Sequence, residues 1–508
     1  MKEKKKSDHI AIILNMVWAT ISVMVNYLMN FLITPYVTNN IGIEAYGFVS
    51  LANTFTNYID IISIALNAFA GRYISIAFHK GDMKKTNEFF SSVIVADVVL
   101  ALLVMIPSGL VISRLNHFIN IPGDILVDVK ILFIVVLVKY LLTVMRTAFN
   151  VATFIKNRLD ISERQKTISY LIQGGILLIL CIFLNPYVWY VGVAGTIAAL
   201  YLLIINIKCC KKLTPELKFR IEYCSWRAVK DLIASGIWNA INNLGNVLNS
   251  GLDILITNLM LNALAMGQIS IAKNIATICY TLLSTISNSF KPKQLKLYSL
   301  DNIEELAKQL KGSMRITSMI CNLILAVFIA CGYSFLRLWI PHQNIGFIYN
   351  ITCIVLLGDI MVGIVNPLYY VFTLTTKLKI PCIITIAMGV INVMAMFVLI
   401  KFTSLGVYAV VLTTLVLNFV HFIDTPIYSA YCLKLPLKTF YPIILRHFLS
   451  CGVIVFGVNT VANILPTPSG WIELILVGIV CGIVGVVLSI ITMYNPKELS
   501  KMYRKLRK

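Results

Sequence analysis

The sequence predicts an all-α, polytopic membrane protein of about fourteen transmembrane helices, and three observations point there. The first is composition: 58% of the 508 residues are hydrophobic and 13% are charged, at a mean hydropathy of +0.85. A soluble chain of this length has no interior large enough for so much apolar surface, whereas a bilayer accepts it. The second is spacing. Apolar windows of about 20 residues, the length that crosses roughly 30 Å of hydrocarbon, recur from end to end, and no stretch between them is long enough for a soluble domain. The third is that the remaining charges are mostly basic and gather in alternate gaps. A backbone in lipid must satisfy its own hydrogen bonds, so the spans are helices.

Taken in order, the apolar blocks place spans over residues 10–36, 44–76, 91–113, 125–150, 167–185, 190–207, 231–259, 263–290, 314–338, 347–373, 380–401, 405–430, 443–463 and 471–493. The basic start Met1–Lys6 before an apolar run imitates a signal peptide. No small-residue cleavage site follows at a fitting distance, so an uncleaved first helix is expected. Basic residues mark cytoplasmic segments. With the N-terminus inside, these take Lys2–Lys6, Lys80–Lys85, Lys156–Lys166, Lys208–Lys230, Lys291–Arg315, Lys377 with Lys379, Lys434–Arg446 and Lys497–Lys508. Arg114, Arg337, Lys401 and Lys130 fall near the other side. Both termini are expected in the cytoplasm. The net charge of +21 then reads as topology and attraction to anionic headgroups, not as a nucleic-acid surface.

One stretch occurs twice. Ala45, Gly47, Ser50 and Ala52 return in register as Ala265, Gly267, Ser270 and Ala272, and Leu32–Thr34 is echoed upstream by Leu255–Thr257. The copies open spans 2 and 8. An even number of spans between them makes the halves parallel repeats about an axis along the membrane normal. The expected organisation is a six-helix lobe over 1–207, a basic cytoplasmic linker over 208–230, a second six-helix lobe over 231–430, and two added helices with a basic tail over 431–508, around a central cavity. Asn53 in the first copy aligns with Lys273 in the second, and Asp60 with Tyr280.

Polar residues line single faces of several spans. Span 2 carries Asn53, Asn57, Asp60 and Asn67; span 7 carries Asn239, Asn242, Asn246, Asn249, Asp253 and Thr257. Span 8 carries Lys273, Thr277, Thr281, Ser284 and Asn288; span 1 carries Asn15, Ser22, Asn26 and Asn30; span 4 carries Lys139, Thr143, Arg146, Asn150 and Thr153. Such groups facing lipid cost several kcal/mol each, so these faces turn to one another or to water. Single Asn, Ser and Thr residues fit interhelical hydrogen bonding at about 0.6 kcal/mol apiece; aligned stripes on spans 1, 2, 7 and 8 fit a shared hydrated cavity.

Charges within spans are stricter evidence, at about 2.5–3.5 kcal/mol or more each. Asp60, Lys139, Lys273 and Asp359 fall near mid-depth, Arg146, Asp97 and Asp424 nearer the cytoplasm, and Asp253 toward the outside. Arg72, at the inner end of span 2, is placed to snorkel or to join the site. Two readings stay open for these groups. One is internal ion pairing, for example Lys139 with Asp60. The other gives an anionic substrate group a landing place on Lys139, Arg146 and Lys273, with Asp60, Asp97, Asp253, Asp359 or Asp424 binding protons or cations. Walker-type GxxxxGK[ST], HExxH and Ser/His/Asp signatures are absent, no cofactor motif stands out, and the twelve scattered cysteines and six histidines offer no zinc spacing.

Thr34-Pro35-Tyr36 at the end of span 1, Asn40 through Gly47 opening span 2, Ala70-Gly71-Arg72, and Phe335 through Trp339 closing span 9 together resemble the bacterial polysaccharide flippases, the Wzx-type members of the multidrug/oligosaccharidyl-lipid/polysaccharide exporter superfamily. The resemblance runs through essentially the whole chain. It implies movement of an undecaprenyl-diphosphate-linked oligosaccharide from the inner to the outer leaflet of a bacterial plasma membrane by alternating access, for surface or capsular polysaccharide such as O-antigen. With no ATP site in the sequence, pumping must use an ion gradient, with H+ or Na+ as the candidate ions, a substrate gradient or a partner; a polymerase and glycosyltransferases of the same pathway are the expected partners. Arg72, Asn53, Asn57, Asn239, Asn242 and Asn246 join Lys139, Arg146 and Lys273 as expected substrate contacts. The lipid II branch would carry arginines in span 1, and none stands between Ile10 and Tyr36. That reading, a teichoic-acid precursor flippase, and an ion-coupled multidrug antiporter remain the alternatives. A polymerase or ligase would need long extracytoplasmic loops, which this topology lacks.

Overall fold

The computed structural model describes residues 2–494, with side chains from Leu14 onward, Met16 excepted. The basic tail Lys497–Lys508 and the side chains of Lys2–Lys6 lie outside the described residues. Regular structure among the described residues is helical throughout. In chain order the helices of the first half are α1 (Lys2–Asn40), α2 (Ile43–Asn67), α3 (Ala70–His79), α4 (Met83–Ser113), α5 (Leu115–Phe118), α6 (Leu126–Ile155), α7 (Leu159–Phe183) and α8 (Trp189–Leu213), followed by α9 (Trp226–Asn246) and α10 (Asp253–Met260). The second half holds α11 (Ala263–Asn288), α12 (Lys291–Ser299), α13 (Ile303–Trp339), α14 (Ile345–Met361), α15 (Asn366–Leu374), α16 (Lys379–Phe402), α17 (Val407–Cys432), α18 (Tyr441–Ile464) and α19 (Trp471–Met493).

Among the described residues, 12 helical stretches are long and apolar enough to cross a membrane. The remaining two expected spans are present as helices outside those 12 stretches. They are α6, which carries Asp128, Lys130, Lys139 and Arg146, and the α9–α10 stretch with its asparagine stripe. Neighbouring helices, and not lipid, must therefore cover their polar faces.

Three spans that read as continuous in the sequence are interrupted. Span 2 breaks at Ala68–Phe69 into α2 and α3. Span 7 contains a π turn over Val247–Gly251 between α9 and α10. Span 10 passes through a 3-10 turn, Val362–Val365, before α15, where Pro367 at the second helical position has no N–H to give to the preceding turn. In contrast, α13 begins well before its apolar run. Asn302 Oδ1 accepts from Glu305 N at 3.1 Å, the N-cap interaction that lets a helix start in water.

The chain forms two compact units, Met1–Gly267 and Gln268–Lys508. In the first, α6 packs on α8 and α4, α1 on α7, and α2 on both α6 and α9. Because α9 lies along α2, it falls in this unit. A buried apolar cluster of Leu66, Ala70, Ile74, Phe90, Val93, Ala148, Ala152 and Leu232 ties α2, α3, α4, α6 and α9 together. On the opposite face of α4, Leu103, Ile106 and Leu110 are each about two-thirds exposed, which is the apolar rim lipid requires. Within the same unit the repeat-equivalent glycines meet: a Cβ on Gly47 would stand 2.9 Å from Gly267 Cα. Only hydrogen side chains allow that approach. At the α6–α7 turn Asp160 N donates to Asn15 Oδ1 at 2.6 Å, and Arg158 Nε donates to Asp160 Oδ1 at 2.9 Å, which holds the guanidinium above its ordinary pKa.

In the second unit α13 is the axis, flanked by α14, α18 and α19, with α17 between α14 and α16. The two added helices are fastened to it by apolar contacts of Ala326, Cys331, Ile454, Val458, Val477 and Cys481. Buried polar contacts add to these, among them a 2.7 Å hydrogen bond between Ser318 Oγ and His447 Nδ1.

Candidate functional site

The polar stripe of α2 faces the polar stripe of α6, and together they enclose a cavity of about 450 Å³ inside the first unit. That volume falls in the roughly 300–1,000 Å³ range of ligand pockets. From α2 come Asn53, Thr56, Asn57, Asp60, Ser63, Ile64, Asn67 and Ala68; from α6 come Val136, Lys139, Tyr140, Thr143, Val144 and Thr147. The arrangement follows from helical period: residues three and four apart share a face, and a polar face avoids lipid by turning to another.

Lys139 is the charge centre. Its stem passes over Gly195 of α8, where a Cβ would press on Lys139 Cδ at 3.2 Å. Its Nζ reaches Asn53 Oδ1 at 3.4 Å. The Asn53 amide is aimed for this, since its Nδ2 donates to Val49 O at 2.9 Å and leaves the oxygen toward the lysine. Among the described residues Lys139 has no other hydrogen bond and no carboxylate within ion-pair distance. The Lys139–Asp60 pair that the sequence allows does not form; Asp60 is bonded instead by the Ser63 hydroxyl. An ammonium has three N–H donors, so two remain for whatever enters. Around it Thr143 and Thr147 give their hydroxyl protons to the carbonyls of Lys139 and Thr143, at 2.9 and 3.3 Å. Their lone pairs are thereby left as acceptors. At the far end Asn67 Nδ2 donates to Asp97 Oδ1 of α4 at 2.8 Å.

The other expected residues are distributed more widely. Arg146 is half-buried on α6 outside the cavity lining, without an ion pair among the described residues. Arg72 is exposed on α3, its guanidinium 6.0 Å from the Phe69 ring. Asn239, Asn242 and Asn246 form an exposed row on α9. Asp253 is buried at the start of α10, after the π turn whose Gly251 carbonyl accepts from Tyr58 Oη at 2.8 Å. In the second unit Lys273 of α11 acts electrostatically on Asp359 of α14, and Asn418 Nδ2 of α17 donates to Asp359 Oδ1 at 3.1 Å. Asp424 is held by its own helix, through His421 Nδ1 at 3.2 Å and Thr425 Oγ1 at 3.0 Å.

Residue-type reasoning missed Ser63, Tyr140, Thr147 and Gly195. Tyr140 adjoins Lys139, and Thr147 continues the four-residue step from Lys139 and Thr143. That step was the available signal. Gly195 had none, because its role is to leave room. Among the described residues no group of three or more His, Cys, Asp or Glu side chains is placed to hold a metal ion.

The bundle thus holds a polar cavity lined by both Lys139 and Asp60, and comparison with known proteins places the chain further. Residues 12–292 match the polysaccharide biosynthesis protein family, and the chain belongs to that family. It is 27% identical over 481 residues to the uncharacterized membrane protein EpsK of Bacillus subtilis (strain 168), covering 94% of each chain. Its fold is similar to that of the lipid II flippase MurJ in an inward closed conformation (TM-score 0.70, 15% identity, 98% of this chain and 100% of that one). It also resembles an inward-facing multidrug-resistance MATE transporter of the MOP superfamily (TM-score 0.60, 15% identity, 83% and 99%). The family is thus that of the polysaccharide biosynthesis proteins, and the fold is the one shared by MurJ and the MATE transporter.

Proposed function

We propose that the protein is a flippase that carries an undecaprenyl-diphosphate-linked oligosaccharide repeat unit from the inner to the outer leaflet of a bacterial plasma membrane. The observation that carries the reading is Lys139, an intramembrane ammonium in a polar cavity with two N–H donors unspent and no carboxylate partner among the described residues. A cation at that depth is costly to keep, and an anionic group that fills the cavity offsets the cost. A diphosphate suits it in charge and in acceptor oxygens. Asn53, Asn57 and the threonines suit sugar hydroxyls, since amides both donate and accept.

Alternating access would rock the two repeat lobes, 1–207 and 231–430, about the basic linker 208–230, while the polyprenyl tail stays in the bilayer. Both termini are then cytoplasmic, and the pathway's glycosyltransferases and polymerase act before and after this step. Coupling falls to H+ or Na+ at one of the buried aspartates. The similarity to MurJ keeps lipid II, and by the same chemistry a teichoic-acid precursor, as the second substrate class.

The test is a strain carrying Lys139→Ala. Loss of surface polymer, with lipid-linked repeat units accumulating on the cytoplasmic side and normal protein in the membrane, is the expected result. Normal polymer would remove the reading. Drug sensitivity with unchanged polymer would favour the antiporter.

A further inference from the structure

Behind the cavity, Asp97 of α4 is 1% exposed, and its only hydrogen bond among the described residues is the one accepted at Oδ1 from Asn67 Nδ2. The other oxygen of each partner, Asp97 Oδ2 and Asn67 Oδ1, is buried with no hydrogen-bond partner. Two facts make this informative. A buried polar atom left without a partner costs about 1–3 kcal/mol, more when it is charged. An ionised carboxylate is also acceptor-only, so with Asp97 charged neither orphaned oxygen can satisfy the other. One added proton resolves both. Carried on Asp97 Oδ2, it is donated to Asn67 Oδ1, and the acid and the amide close a two-bond ring: N–H to oxygen on one side, O–H to oxygen on the other.

The geometry points to a proton-binding site made by Asp97 and Asn67, opening onto the substrate cavity through Asn67. A neighbouring hydroxyl supports it. Tyr140, 8% exposed, stands beside Ser63 and Asp60 and lies within electrostatic reach of Asp97. With Ser63 bonding Asp60, the residues Asp60, Ser63, Tyr140, Asn67 and Asp97 form a polar path along the cavity's end.

Other elements against α4 contribute a tyrosine ring and backbone N–H groups. Tyr73 of α3 packs its ring on Phe89 at 5.1 Å. Ser92 Oγ accepts from Ser225 N at 2.9 Å, and Ser91 Oγ from Arg220 N at 3.3 Å. Of the titratable groups, Tyr140 of α6 interacts electrostatically with Asp97 and also with Asp60 of α2. This inference goes beyond the assigned substrate, because the proton is read out with no substrate present.

Infrared spectroscopy of the purified full-length protein in lipid tests it. Wild-type protein at neutral pH should show the carbonyl band of a protonated, buried carboxylic acid. The band should be lost in Asp97→Asn, kept in Asp60→Asn, and shifted to higher frequency in Asn67→Ala, where the acid loses its acceptor. Asp97→Asn is a fair control for folding, since two amides make the same two-bond ring; its thermal unfolding should match wild type. Absence of the band in wild type, its persistence in Asp97→Asn, or its loss only in Asp60→Asn would overturn the site. Loss of the band when sodium replaces potassium at constant pH would also overturn it, because a metal cation would then occupy those oxygens.

Discussion

The two halves of the chain place different charges on one frame. The offset that maps Gly47 onto Gly267 also maps Asn53 onto Lys273 and Lys139 onto Asp359. In the first unit the pair is an amide facing a cation, Asn53 to Lys139. In the second it is a cation acting on an acid, Lys273 on Asp359, with Asn418 bonding the acid as well. The second pair compensates its own charge; in the first, no carboxylate stands within ion-pair distance of the ammonium among the described residues. On the proposed function, that uncompensated charge is the one that meets the substrate's anion. The difference teaches where to test first: the charge whose partner is missing, not merely the one that is buried.

The comparison can be broken from either side. The largest effect is expected from Lys273→Ala, which strands Asp359 in the membrane. Stability should fall by about 3 kcal/mol, read as lower melting in detergent, and Asp359→Asn in the same chain should restore much of it. A single mutant as stable as wild type would show that Lys273 does not compensate Asp359. Lys139→Ala strands no acid, so melting should hold near wild type while affinity for a polyprenyl diphosphate drops about 10–100-fold, the worth of a charge-assisted hydrogen bond. Gly195→Val should displace the Lys139 stem and lose about as much affinity, with Lys139 still in the chain; unchanged binding would remove the packing argument. Asn53→Leu removes the oxygen that aims the ammonium, and a few-fold loss is expected from bonds of this kind in membranes. Smallest is Tyr58→Phe, which removes the bond to the Gly251 carbonyl of the π turn and should cost about 0.5 kcal/mol of stability, read as slightly lower melting.

How much of this was legible in the sequence depends on residue type. Lys139 and Asp60 stand out because a charge in an apolar run has few explanations, and the α2 stripe stands out because asparagine repeats with the helix. The helices were legible for the same reason, α6 and α9 included, although neither is among the 12 stretches that pass on length and hydropathy. Ser63 and Tyr140 were not legible, since hydroxyls in apolar helices usually bond their own backbone and read as filler. Nor were the breaks at Ala68–Phe69 and Val247–Gly251: no proline marks either, and tertiary contacts such as Tyr58 with Gly251 settle them. The π turn shows the principle: its freed carbonyl finds a partner on α2, far away in sequence. The Asp97–Asn67 pair lay in plain view on two spans, but pairing requires knowing that the end of α2 meets α4.

The most direct test of the central claim is equilibrium binding of undecaprenyl diphosphate to purified protein, comparing wild type, Lys139→Ala and Lys139→Arg. The account predicts saturable binding that weakens about 10–100-fold in Lys139→Ala and largely returns in Lys139→Arg, because arginine restores the charge and its donors. Equal affinity in wild type and Lys139→Ala would contradict it.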